Sequence, residues 1–338
     1  MTPREELDAL ARRVCNWGRW GKDDQLGTVN LVTPEARRRG AACVLEGRAF
    51  SLGLNLSESE GIQAGLIPGR VNPSRTMTQV NTPLSPDPEW ICASEDVVVM
   101  ALQCATHWDA LAHVSYRGVI YNGFPASSVG AFGAQVCGID RIGSLVTRGI
   151  LLDVARARGV EVLDPGYGIT PEDLTASCEH AGVVVEPGDV VLVRTGQMVH
   201  LALDARPGDQ RDRPGEQASA TPGDPPKRSR SRRNLIDYAY PAPGLTMACA
   251  SWFHERDVAA VATDTLSLEV LPCEHENLYL PVHVLHLVEM GMSQGQNWYL
   301  DELAKDCASD GRYSFLLDAT PLAFTNALGS PLNPVAVK

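Results

Sequence analysis

The chain has 338 residues, 44% of them hydrophobic, and a formal net charge of −12. That is apolar material for one large core or two ordinary ones, and the acidic balance argues against a general nucleic-acid binder, which needs a basic footprint. There is no apolar run long enough to span a bilayer. The start, Met1-Thr-Pro-Arg-Glu-Glu, lacks the apolar segment of a secretory signal, and the nine cysteines are odd in number with no C-x-x-C pair. These features predict a protein of the reducing cytoplasm, free of membrane and nucleic acid.

Thr2-Pro-Arg-Glu5 is a capping box, and Leu7, Leu10, Ala11 and Val14 follow at helical spacing, which predicts a helix over about residues 3–15. Residues 16–30 read as an ordered loop. Its Trp17 and Trp20 either line a pocket for a flat substrate or seal the edge of the core. Thr33-Pro-Glu opens a second helix, residues 48–57 alternate as a strand, and 61–73 is a loop punctuated by glycine and proline. Val97-Val-Val-Met-Ala-Leu102 reads as a buried strand feeding the stretch on which the chain turns, Gln103-Cys-Ala-Thr-His107-Trp-Asp109-Ala-Leu-Ala-His113. If the extended conformation continues, His107 and Asp109 share one face, because strand side chains alternate. His113 joins them only if the chain turns. The residues alone leave three readings open: half of a metal site, a base with its orienting partner, or a capping network around Thr106 and Asp109.

Further on, Tyr121-Asn-Gly123 is a tight-turn signature, 149–154 a strand, Thr170-Pro-Glu-Asp a helix cap, and Val190 to Thr195 a buried strand. Residues 205–233 hold no large apolar residue, and their eight basic and four acidic residues give +4 in an acidic chain. They predict a disordered polar insertion. Trp252-Phe-His254-Glu-Arg lies on a predicted helix, where His254 either faces the site or pairs with Glu255. Val258 to Ala262 is a short strand, and Pro281 starts a helix that carries His283 and His286 on one side and ends at Gly291. A helix from about 300 and a strand over 313–317 follow. Gly329-Ser-Pro-Leu-Asn-Pro334 reads as a terminus near the surface or at a subunit contact. The mixture predicts a single compact α/β domain over 1–338, a mixed β-sheet with flanking helices. It contains no G-x-G-x-x-G, P-loop or G-x-S-x-G motif.

The stretch 103–113 resembles, in register, the H-x-G-T-H-x-D-x-P-x-H pattern of the cyclase family of metal-dependent hydrolases, to which kynurenine formamidase and isatin hydrolase belong. Trp20-Gly-x-x-Asp-x-x-Gly27, Tyr121-Asn-Gly123, Pro187-Gly-Asp189, Trp252-x-His254-Glu-Arg, Leu280-Pro-x-His283 and Gly329-Ser-Pro-x-Asn-Pro334 resemble its longer bacterial branch. The resemblance implies that fold, with His107 and Asp109 as metal ligands, His113 as the histidine that handles the proton, and His283 near a later active-site histidine. Gln103 stands where the family has its first ligand histidine, and Gln296 where a glutamate closes the site. Both are poorer ligands for the Mn or Zn that the family uses. Trp20, Trp108, Tyr121 and His254 are the implied substrate-facing residues. The function implied is hydrolysis of a C–N bond in a small cyclic amide, imide or N-formyl aromatic, by metal-activated water and a histidine base, in a homodimer or higher homo-oligomer. Two alternatives stay open: a tailoring enzyme of secondary metabolism with a weak or absent metal, and a non-catalytic small-molecule-binding protein on the same fold.

Overall fold

Helix α1, Pro3–Val14, forms where its capping chemistry puts it: Thr2 and Glu5 bond reciprocally across the first turn, and Leu7, Ala11 and Val14 are buried on one face. The same logic places α2, Pro34–Ala42, behind Thr33, and α3, Pro171–Ala181, behind the Thr170–Asp173 capping box. The computed structural model describes residues 2–58, 61–63, 65, 67–201 and 232–338. The predicted insertion lies outside these except for its last two residues, which open the short helix Arg232–Ala239.

One nine-stranded mixed sheet carries the fold. In chain order its strands are β1 (Ala49–Ser51), β4 (His107–Asp109), β5 (Val146–Asp153), β6 (Val190–Arg194), β7 (Ala260–Thr263), β8 (Ser293–Gln296), β9 (Ser314–Asp318), β10 (Gly329–Pro331) and β11 (Val335–Val337). They lie in the order β1-β11-β9-β5-β6-β7-β8-β4-β10. The central four, β5 to β8, are parallel, and all other pairings are antiparallel. Burial on both faces explains the apolar runs Ile150-Leu-Leu152 of β5, Val190 to Val193 of β6 and Ala260-Val-Ala262 of β7, whereas β8, Ser293-Gln-Gly-Gln296, is polar although buried. Ile150, Leu152, Val191, Val193 and Val261 feed one core cluster, and Leu151, Val190, Leu192, Ala260 and Ala262 the other.

The chain Val97-Val-Val does form a strand, but not the buried one expected. It ends β3 (Cys92–Val99), which pairs with β2 (Ser74–Pro83) in a two-stranded arm exposed along nearly its whole length. A β-branched run signals a strand, not which sheet takes it. The Gly329 segment is the opposite correction. It is the buried strand β10, paired with the motif strand β4. Glycine permits this because a Cβ at 329 would stand 2.8 Å from the Trp108 carbonyl and 2.6 Å from Gln103 Nε2. Of the strand expected over 48–57 only the three residues of β1 form one.

Helix α4, Cys249–Glu255, and helix α5, Pro281–His283, pack in the first core cluster, and α6, Asp301–Asp310, packs in the second. Proline fits the first position of α5, where a backbone N–H would be unsatisfied. The helix continues as a π-helical segment, Val284–Met290, and stops at Gly291 in the left-handed conformation, the residue expected to end it.

Candidate active site

Strand β4 sits between β8 and β10, with His107 opposite both Gln296 and Pro331. Pairing on two sides holds the extended conformation through the motif, so His107 and Asp109 do share a face. Trp108, between them, points the other way into the second core cluster, edge-to-face with Trp298 at 4.8 Å. After Asp109 the chain turns, with the His113 amide donating to the Ala110 carbonyl at 2.9 Å, and this turn returns His113 to the site.

Asp109 is the centre, 1% exposed. Its Oδ1 lies 3.5 Å from His107 Nε2 and 3.7 Å from His113 Nε2, and its Oδ2 lies 4.0 Å from His283 Nε2. Gln296 donates its amide N–H to Oδ2 at 2.9 Å, and Gln294, two residues back on the same strand face, reaches it at 3.4 Å. Burial alone would push the Asp109 carboxyl up. The His113, His107 and His283 imidazoles outweigh it and hold the group well below the usual carboxylate range, so Asp109 is an anion. For His113 the pull of Asp109 is upward, but burial and the charges of His283, Arg70 and His107 bring it below its ordinary value.

His283 enters from α5 and is oriented by a residue that the sequence did not single out as functional. Glu269 accepts from His283 Nδ1 at 2.5 Å, and from the backbone N–H groups of Val282 and His283 at 3.2 Å each. One buried carboxylate thus receives the first amides of α5 and fixes the ring, leaving Nε2 free to face the site. His107 is fixed likewise, its Nδ1 donating to the Ala105 carbonyl at 2.7 Å.

His283 and Gln296 also line a cavity of about 220 Å³, together with Arg70, Ile67, Tyr240, Leu266 and Tyr279 among others. Trp20, Trp108, Tyr121 and His254 do not line it. Trp20 is half-buried in the N-terminal loop beneath the Arg19 guanidinium. Tyr121 is buried and donates its hydroxyl to Asp24 at 2.9 Å. His254 is half-buried on α4 near Arg19, Asp257 and Glu255, and burial lowers its pKa. Gln103 packs over Gly329 and makes no hydrogen bond to His107 or Asp109 among the described residues.

Among the described residues His107 Nε2 and Asp109 Oδ1 are buried with no hydrogen-bond partner, as are the amide oxygens of Gln294 and Gln296 and His113 Nδ1. Such orphans ask for a bound group, and an imidazole nitrogen beside a carboxylate oxygen is a donor pair for a divalent ion. Among the described residues no group of three His, Cys, Asp or Glu is arranged to hold a metal. The side chains therefore fit an ion held by one imidazole and one carboxylate, with neutral amide oxygens as the only other donors at hand among the described residues, a weaker grip than a three- or four-ligand site of imidazoles and carboxylates gives.

The family model for cyclases matches residues 60–270. A crystal structure described as a novel cyclase superposes with a TM-score of 0.81 at 34% identity, covering 97% of this chain and 99% of that one. The chain belongs to the cyclase family. Isatin hydrolase A from Labrenzia aggregata (TM-score 0.56, 19% identity, 88% of this chain and 94% of that one) shares the cyclase fold. So does isatin hydrolase A from Ralstonia solanacearum (0.57, 18%, 86% and 91%). No curated protein matches the sequence.

Of the residues that this cyclase brings together, His107, Asp109, His113, His283 and Gln296 were readable in advance. Gln294 could have been found from the two-residue strand period that links it to Gln296. Glu269 and Arg70 lie on loops, where no periodicity marks them.

Proposed function

We propose that this cyclase-family chain is a hydrolase that opens a C–N bond in a small cyclic amide, imide or N-formyl aromatic. The observation that carries the reading is the line Glu269–His283–Asp109, a buried carboxylate fixing an imidazole whose free Nε2 faces both a second carboxylate and a cavity. The fold shared with two proteins described as isatin hydrolases adds a fold-level analogy on the side of hydrolysis.

In this mechanism His283 Nε2 takes a proton from the attacking water as its oxygen bonds to the carbonyl carbon. The Glu269 carboxylate stabilises the imidazolium that forms, as an orienting acid does for a histidine base. The same proton passes to the leaving nitrogen as the C–N bond breaks, giving a carboxylic acid and an amine. His113, lowered below its ordinary pKa, is neutral at pH 7 and is the second group able to relay a proton at Nε2. Asp109 holds the three imidazoles in place and favours positive charge on any of them. His107 Nε2 and Asp109 Oδ1 would hold a divalent ion, Mn or Zn, which when bound supplies carbonyl polarisation and a more acidic water.

Turnover of a panel of lactams, imides and N-formyl anilines tests the proposal, with the His283→Ala variant as control. Hydrolysis abolished in that variant supports it; no hydrolysis of any member, with or without added Mn or Zn, refutes it. The two amides on Asp109, Gln294 and Gln296, favour a second reading, a tailoring enzyme that opens or closes a ring without a tight metal. Full activity after exhaustive chelation would select it.

A further inference from the structure

The cavity beside His283 is bounded mostly by apolar and aromatic side chains: Ile67, Ala239, Tyr240, Leu266, Leu271, Tyr279 and Leu280. Among the described residues Arg70 is the only lining residue with a fixed charge. It stands on the loop before β2, half-buried, and no hydrogen bond or ion pair engages its guanidinium among the described residues. The other arginines of the fold's interior are built differently. Arg194 is paired to Asp153 and Asp301, and Arg148 to Asp189 and Glu186. A half-buried guanidinium without a carboxylate gives up solvation for nothing in return unless something else supplies the anion.

Asp109 does not fill that role. Its charge reaches Arg70, but it is already bonded by the Gln296 amide and surrounded by three imidazoles, and it lies outside ion-pair distance of Arg70. The volume, about 220 Å³, falls below the roughly 300–1,000 Å³ of drug-sized sites, so the occupant is small. Tyr279 and Tyr240, 84% and 52% exposed, stand at the mouth and offer flat faces. Arg70 and His283 line one cavity, so a ligand held at the first has its body within reach of the second.

We propose that Arg70 is the recognition residue for a substrate carboxylate, and that the natural substrate is a small cyclic amide, imide or N-formyl aromatic that also bears a carboxylate. This rests on the proposed hydrolysis for the nature of the reacting bond, but not for the binding of the anion. A guanidinium fork meets a carboxylate with two parallel N–H···O bonds, which fixes orientation as well as affinity. The carboxylate stays intact during the reaction. Water adds at the separate amide carbonyl, the C–N bond breaks, and the proton released by water goes to the nitrogen.

The test is a binding measurement without turnover. Benzoate, phthalate and indole-2-carboxylate, each with its uncharged carboxamide partner, are titrated calorimetrically into the full-length protein and into Arg70→Met and Arg70→Lys. The expected result is tighter binding of the carboxylates than of the amides. Arg70→Met should lose about tenfold or more in carboxylate affinity, the size of a charge-assisted hydrogen bond, with the amides unchanged. Arg70→Lys should restore only part of it. Equal binding of acids and amides, undiminished acid binding in Arg70→Met, or no saturable acid binding at millimolar concentrations overturns the proposal. Failure of the hydrolase reading shows differently: acids bind through Arg70 while no amide is ever cleaved. Melting temperature and circular dichroism of Arg70→Met check the fold, since no side-chain hydrogen bond or ion pair among the described residues is lost with the guanidinium.

Discussion

His286 makes the chain's clearest pH-dependent prediction. It lies one helical turn beyond His283, fully buried, with its ring edge-on to Phe253 at 5.6 Å. Among the described residues neither ring nitrogen has a hydrogen-bond partner at bonding distance. Burial pushes its pKa down to about 3, the nearby His283 adds to this, and the Gln294 side chain opposes it. Native His286 is therefore neutral, whereas in the unfolded chain it titrates near 6.5. Because the native pKa is the lower one, the stabilisation is complete above about 6.5 and declines as pH falls toward 3. Between pH 7 and pH 5 the unfolded state takes up the proton and the native state does not, which costs about 2 kcal/mol. His286→Met removes the titrating group and keeps an apolar side chain that adapts to the space. Urea unfolding of both proteins, followed by tryptophan fluorescence, should show the wild type losing about 2 kcal/mol more than the variant over this interval. All other acid-sensitive groups are common to both and cancel. Parallel pH dependences in the two proteins would show that His286 takes up its proton in the folded state, and the reasoning from burial would fail.

Other outcomes follow from the same geometry. His283→Ala should lower turnover by about 10²- to 10⁴-fold. Glu269→Gln should also lower it and shift the acid limb of the pH–rate profile, a shift that a purely structural role would not produce. His107→Ala and Asp109→Asn should each abolish uptake of Mn or Zn in calorimetry, while Gln103→Ala leaves it nearly unchanged, since Gln103 packs on Gly329. Gly291→Ala should destabilise the fold by about 2–4 kcal/mol in urea. Its Cβ would lie 2.3 Å from the Tyr121 ring, at a backbone φ of +64°.

The sequence was most legible where a feature is decided locally. Thr2 and Thr170 announce their helices because a capping box is a matter of four consecutive residues. His107 and Asp109 alternate as expected because β4 is paired on both sides. What was not legible depends on partners distant in the chain. Val97 to Val99 could be read as strand, but their pairing with residues 74–76 in an exposed arm is a tertiary fact. Gly329 and Pro331 have the composition of a surface turn, yet glycine's missing Cβ lets the backbone press against Trp108 and Gln103 in the interior. Glu269 sits fourteen residues before His283, and only the fold of that loop aims it at the imidazole.

The two halves of the site are held by different kinds of structure. His107, Asp109, Gln294 and Gln296 are locked in strands whose register is shared with their neighbours, and a slip of one residue would turn every one of them away. Arg70, Tyr240, Leu266 and Tyr279 stand on connecting segments outside the sheet ladders. Mutational drift in the second group can reshape what the cavity accepts while the first group keeps its spacing. A laboratory search for new substrates is therefore best confined to those connecting segments. There, a variant leaves the strand register of the reacting groups untouched, and a successful one inherits the same groups.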